Sequence, residues 1–258
     1  MAPARKALHY RSALAAALVA AAAVGFAGPA SSAPAILRNA LGLDRLDEGR
    51  QSTTPIVARY LIDEGGNFTL DRSQPRPLMK FDDSPEVWVL APSRGPRGDI
   101  IYKNDVGEPM LRATRLGGMT VFTPRRPAGS AAAMAGPTSA LHMPSIGPGG
   151  LFRRVFEASL RTSRAAQHLV EFDAPDADAG SDALIADAAG VTMEAFITLS
   201  SAAEGKALMS RVSKIVFNEG AKPAAVLQGA TLLVTITPAQ GMAGRPSSRR
   251  IMRALGLR

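Results

Sequence analysis

The chain has 258 residues, 30 of them basic and 22 acidic, for a formal charge of +8, with three histidines and no cysteine. The lack of cysteine excludes disulfide staples, a thiolate nucleophile and cysteine-based metal sites, so stability has to come from a buried core. The charge is spread evenly, 14 basic against 12 acidic residues over 36–126 and 13 against 10 beyond, which is not the basic face that nucleic acid demands.

The first 35 residues read as an address. Arg5, Lys6 and Arg11 precede a charge-free run from Ala13 to Ala27, and small residues and prolines follow in "GPASSAPA". That order predicts a secretory signal peptide over residues 1–35, cut after Ala35 or Ala30, and an exported protein, periplasmic or secreted. The apolar run is shorter than the roughly 20 residues of a spanning helix. No later stretch reads as a transmembrane span. Cleavage would leave 27 basic and 22 acidic residues, 27 minus 22 or +5.

Residues 36–124 form a β-rich region. "PIVARYLI" (55–62), "NFTL" (67–70), "PLMKF" (77–81), "EVWVLAP" (86–92), "DIIYKN" (99–104), "PMLRATR" (109–115) and "MTVFTP" (119–124) alternate or run apolar between Gly, Pro, Asn and Asp breaks. Strands at such short spacing predict an antiparallel meander closed into a small barrel or sandwich. Arg97-Gly98-Asp99, a tripeptide that adhesion receptors read, lies in one of the breaks. Gly95, Pro96 and Gly98 supply turn geometry there, and the tripeptide reads as the link between two strands.

Residues 125–150 are rich in Pro, Gly, Ala and Ser without apolar period, and predict a linker or mobile loop. Residues 151–258 predict an α+β region. A helix from Leu151 to Leu169 carries Phe152, Val155, Phe156 and Leu160 on one face and Arg153, Arg154, Glu157, Arg161 and Arg164 on the other. "LVEF" (169–172) reads as a strand. An Ala-rich helix with Ile185, Ala189, Met193, Phe196 and Ile197 in a stripe follows, and Ser201 to Glu204 is a capping-box pattern opening a helix to Val212. "KIVFN", "AAVL" and "TLLVTIT" complete a small antiparallel sheet with the helices packed on it.

The phrase "FDDSPEVWVLAPSRGPRGDIIYKNDVGEPMLRATRLGGMTVFTP", with "GRPSSRRI" near the end, resembles an uncharacterised family of secreted alphaproteobacterial proteins, domain of unknown function family 4908. The resemblance covers most of the chain after residue 35. It implies that the two halves form one unit, and it implies no activity and no site residues.

Chemistry is sparse. His142 lies in the glycine-rich stretch; His168 sits near a helix end, where an imidazole suits the negative end of the dipole. No nucleophile elbow or His-Glu-x-x-His appears, and "EGK" (204–206) lacks the upstream glycine of a phosphate loop, so no cofactor is expected. Asp82, Asp83, Glu86 and Asp99, with His168, are the candidate catalytic residues. Paired carboxylates could serve a hydrolase, but a Ser-Pro turn with backbone-bonded aspartates explains the cluster as well. Asp176, Asp178 and Asp182 suggest a calcium loop, although glycine falls at position 5 where such loops need it at 6. "GRPSSRRIMRALGLR" (244–258) predicts a short helix capped by Ser247 or Ser248. Its Ile251, Met252 and Leu255 form a stripe, and Arg249, Arg250, Arg253 and Arg258 could bind an anionic membrane or polymer. Alternatively, the stripe docks on the protein's own core. The expectation is a non-enzymatic envelope protein acting as a binding or scaffolding module, partnered by another envelope protein or a membrane surface. A carboxylate hydrolase and C-terminal surface binding are the alternatives.

Overall fold

A computed structural model describes residues 55–147, 149–175 and 180–257. The signal-peptide reading and the candidates Asp176, Asp178 and Arg258 lie outside the described residues.

The meander is present. Strands β1 (Val57–Ile62), β2 (Asn67–Asp71), β3 (Leu78–Phe81) and β4 (Val87–Val89) run antiparallel, each beside the last. So do β5 (Ala91–Arg94), β6 (Ile100–Lys103), β7 (Pro109–Ala113) and β8 (Met119–Thr123). The stretch read as one strand over 86–92 is therefore two, broken at the fully buried Leu90. Strand β9 (Arg126–Pro137) joins the two groups, giving the order β4-β3-β2-β1-β9-β8-β7-β6-β5. The two edges of this nine-stranded sheet are consecutive in sequence, so one residue turns the corner between them and the sheet curls into a nearly closed barrel.

Strand β9 corrects the linker reading. It pairs with β8 from Thr123↔Arg126 to Met119↔Ala132, and with β1 from Ile62↔Ala132 to Ala58↔Pro137. Its alanines and glycines carry too little apolar area to show a period, and two flanking ladders supply the order instead. Gly129 is required. Its φ is +90°, and a Cβ there would lie 2.5 Å from Thr120 Cγ2 and 2.9 Å from Phe122 Cε1.

Inward residues alternate along the strands, as a barrel demands. Ala58 and Tyr60, Phe68 and Leu70, Leu111 and Val121 are buried, and the Tyr60 and Phe68 rings stack at 5.1 Å. The Arg97-Gly98-Asp99 stretch is a turn, with Arg97 at φ 60° and Gly98 at φ 81°. Asp99 is buried and accepts from Arg112 Nε at 2.7 Å.

Beyond β9 the fold is α+β: helix α1 (Gly150–Ala166), β10 (Glu171–Asp173), α2 (Asp182–Ser200), α3 (Gly205–Met209), β11 (Lys214–Glu219), β12 (Ala224–Gln228), β13 (Thr231–Ile236) and α4 (Ser248–Leu255). The small sheet, ordered β10-β11-β13-β12, is mixed rather than antiparallel: β10 and β13 both run parallel to β11. Helices α2 and α3 form the crossover that brings the chain back in the same direction. Ile215, Phe217, Leu232, Val234 and Ile236 alternate inward beneath the helices. The capping-box expectation also fails. Helix α3 has only five residues and starts after Glu204 with no side-chain cap.

Helix α2 is apolar and long enough, at 19 residues, to cross a membrane by length and composition, contrary to the sequence reading. In the structure it is the core helix, with Ala188, Ala195, Phe196 and Leu199 fully buried. Helix α1 is turned over relative to expectation. Small residues Gly150, Ala158, Thr162 and Ala166 are buried, while Phe152, Phe156 and Leu160 are exposed. Close approach to α2 needs small side chains, so the bulky face turns out.

Candidate functional site

The two phrases that carry the family resemblance meet in space. Glu86, whose amide donates to Ser84 Oγ at 3.2 Å, turns inward from the barrel rim and is 3% exposed. Its Oε1 accepts from the Ser248 amide at 3.0 Å and its Oε2 from Ser248 Oγ at 2.5 Å. Arg245 is buried beside it, with Nη1 3.9 Å from Glu86 Oε1. The same guanidinium donates through Nε to Asp187 of α2 and through Nη2 to the Val87 carbonyl at 2.9 Å.

Burial pushes the Glu86 carboxyl up to about 7; the Arg245 charge and the Ser248 bonds pull down without cancelling it, and Asp187 adds to the rise. Buried arginine between two carboxylates compensates charge that burial alone would expel.

The next turn of the rim repeats the pattern. Asp105 accepts from the Ser247 amide at 3.1 Å, Ser247 Oγ at 2.5 Å and Arg250 Nε at 2.8 Å. Glu108 accepts from Arg249 Nε at 2.9 Å, Arg253 Nη2 at 2.8 Å and Asn104 Nδ2 at 3.2 Å. Burial raises the Glu108 carboxyl, but the bonds from Arg249, Asn104 and Arg253 outweigh it and hold it below its usual range. Ser247 caps α4 by accepting from the Arg250 amide at 3.1 Å, as a serine before a helix can. Ile251, Met252 and Leu255 are buried in the helical core. Gly244 precedes this clasp where a Cβ would lie 2.1 Å from the Thr237 carbonyl oxygen.

Beside the clasp lies a cleft of about 380 Å3 between the β3–β4 rim, the chain at His142–Pro144, and helices α1 and α2. Glu86 and Asp187 line its inner side. Lys80, Arg154, Arg161, Glu157 and Glu194 supply further charge, and Val87, Met143, Val191, Met193 and Met242 are apolar. Asp71, fully buried, sets the path of the third wall. It accepts from the Leu141 amide at 2.8 Å, and from the Ser73 amide and hydroxyl at 2.8 and 2.6 Å. Burial raises its carboxyl, but those bonds, with the His142 charge, bring it below the usual range.

The sequence candidates divide. Of Asp82, Asp83, Glu86 and Asp99, only Glu86 lines the cleft. Asp82 is exposed and pairs with Arg59, Asp83 is exposed, and Asp99 is held by Arg112. His168 places Nδ1 3.0 Å from the Ala166 carbonyl oxygen and Nε2 2.7 Å from that of Val212, which ties the end of α1 to the strand entry. Asp182 opens α2, where a carboxylate favours the helix dipole. Among the described residues no cluster of three or more His, Asp or Glu could hold a metal ion. Arg249, Arg250 and Arg253 are engaged by Glu108 and Asp105 rather than by the acids around Asp173. Sequence reading gave His142 and Asp187 no place in a site, and it missed Asp71 and Arg245 altogether. Arg245 alone carried a signal, lying inside the "GRPSSRRI" phrase.

The chain belongs to a family of domains of unknown function, DUF4908, whose model matches residues 36–255. That span takes in both the barrel and the helical part. No curated protein and no solved structure matches the chain.

Proposed function

We propose that the protein is an exported, non-enzymatic binding module that takes a small amphipathic ligand in the cleft beside Glu86 and Asp187. The cleft carries this reading. Its volume of about 380 Å3 lies in the roughly 300–1,000 Å3 range of small-molecule sites. Its walls join apolar Met143, Val191 and Met193 to Lys80 and Arg161 of one sign and Glu157 and Glu194 of the other. Such a lining suits a ligand with a short apolar body and a zwitterionic head, such as a short peptide. Glu86 and Asp187 are committed to Ser248 and Arg245, which favours holding a ligand over transferring a group. Export rests on the basic, apolar and small-residue order of residues 1–35.

Gly190 gives a test. It lines the cleft on α2, and a Cβ added there meets nothing within 4 Å. Gly190→Phe should fill the cleft without disturbing the fold. Short peptides and other zwitterions screened by thermal shift should raise the melting point of the unaltered protein and leave that of Gly190→Phe unmoved. A screen that shifts neither protein, or both alike, refutes the reading. Export is tested by mass spectrometry of the protein recovered from the envelope. A new N-terminus between Ser31 and Ile36 is expected, and an intact Met1 there refutes it.

A further inference from the structure

Helix α1 presents an apolar ridge that no part of the described structure covers. Phe152, Phe156 and Leu160, at i, i+4 and i+8, are 75%, 54% and 44% exposed, and the two phenylalanine rings stack at 6.1 Å on the outside of the molecule. A helix of a folded domain ordinarily turns such a stripe inward. Here the opposite face, Gly150, Ala158, Thr162 and Ala166, is the buried one.

The charge beside the ridge is as informative as the ridge itself. Helical spacing sets Arg153 and Arg164 next to Leu160, with Arg161 and Arg154 further round. All four are exposed, and none makes an ion pair among the described residues. The C-terminal helix differs on both counts. Its apolar stripe is buried and Arg249, Arg250 and Arg253 are paired. Glu157 is the only acidic residue on α1.

We infer that α1 is a membrane-docking face that lies in the plane of an anionic lipid surface. Phe152, Phe156 and Leu160 would enter the acyl boundary, and Arg153 and Arg164 would meet the phosphate headgroups. Charge complementarity selects this occupant: aromatic and aliphatic side chains flanked by unpaired cations are what an interfacial helix offers to anionic lipid. The helix, 17 residues lying flat along α2, is already held by the protein. Docking therefore needs no folding step, and its cost in ordering is correspondingly small.

The cysteine-free chain allows a test by position. Leu160→Cys in the full chain, labelled with an environment-sensitive fluorophore, reports the ridge. Leu116→Cys, labelled alike at a residue 98% exposed in the β7–β8 turn, is the control, and it separates α1 from any binding by the N-terminal residues. Vesicles of equal parts phosphatidylcholine and phosphatidylglycerol should shift the emission of the label at 160 to the blue and leave that at 116 unmoved. High salt should weaken the response at least about tenfold, since each arginine at the surface acts electrostatically. Phe152→Ser with Phe156→Ser should abolish it while leaving the melting temperature unchanged, because both side chains are exposed. Three results would overturn the inference. One is no shift at 160. Another is an equal shift with pure phosphatidylcholine. The third is a shift that grows with protein concentration without vesicles, which would assign the ridge to a second copy of the chain.

Discussion

Arg245 Nη2 donates to the Val87 carbonyl at 2.9 Å, across 158 positions of sequence. Val87 opens β4, an edge of the barrel sheet, and such edges are open templates for pairing with another chain. The arginine occupies that edge while its other nitrogens face Asp187 and Glu86. Arg245→Ala should therefore cost about 3–5 kcal/mol, because it leaves buried Glu86 and half-buried Asp187 without their cation. Chemical denaturation measures it. Arg245→Lys should recover only part, since an ammonium cannot reach three acceptors with a fixed fork. A loss under about 1 kcal/mol for Arg245→Ala would remove the clasp from the account of stability.

The pH dependence of stability follows from Glu86. Its folded carboxyl titrates at about 7 against the usual 4.5, so between those values the folded state holds the extra proton. Stability then falls as pH rises through that window. The 2.5-unit difference corresponds to something on the order of 3 kcal/mol. Glu108 and Asp71, held low, act oppositely, and their contributions are lost as the solution is acidified below the usual carboxylate range. Maximum stability at mildly acidic pH is expected. Glu86→Gln should flatten the decline between pH about 5 and 8; a decline of unchanged slope in that variant would exclude Glu86 as its source.

Gly244→Ala should destabilise sharply while Gly190→Ala should not. At 244 the added methyl meets the Thr237 backbone oxygen at 2.1 Å, and at 190 it meets nothing within 4 Å. Moving the strand-to-clasp connection should cost about 1–3 kcal/mol, whereas alanine inside helix α2 should gain up to about 1 kcal/mol. Thermal melts of the two variants decide it, and equal melting points would contradict the close approach.

Truncation after Gly244 should abolish cooperative unfolding. Ile251, Met252 and Leu255 are buried, and each contributes about 1.5–3 kcal/mol on burial. A truncated protein that melts cooperatively within a few degrees of the full chain would show that α4 is dispensable.

Most strands were legible because β-branched and aromatic residues alternate between turn residues, as in "PIVARYLI" and "MTVFTP". Strand β9 was not, since "GSAAAMAG" has side chains too small to mark inside from outside. The parallel pairing of β11 with β10 depends on how α2 and α3 cross, and that of β11 with β13 on β12 taking the outer place, which local patterns do not record. Ser247 as a cap was legible, but its hold on Asp105 across 142 positions was not. The α1 stripe was legible as a stripe. Its direction was set by the small residues opposite, which outweighed the phenylalanines because two helix backbones cannot approach over bulky side chains.

The barrel begins and ends its ring of strands at Leu90, so it has a single seam, and residues 245–248 fasten the rim beside it. A ring with one seam opens there first. The C-terminal helix is rooted in the other core, so opening the barrel at β4 and lifting that helix are one event seen from two sides. Heat should thus find no weak joint between the barrel and the helical layer. The two cores rise and fall together in one transition, with the latch at residues 245–248.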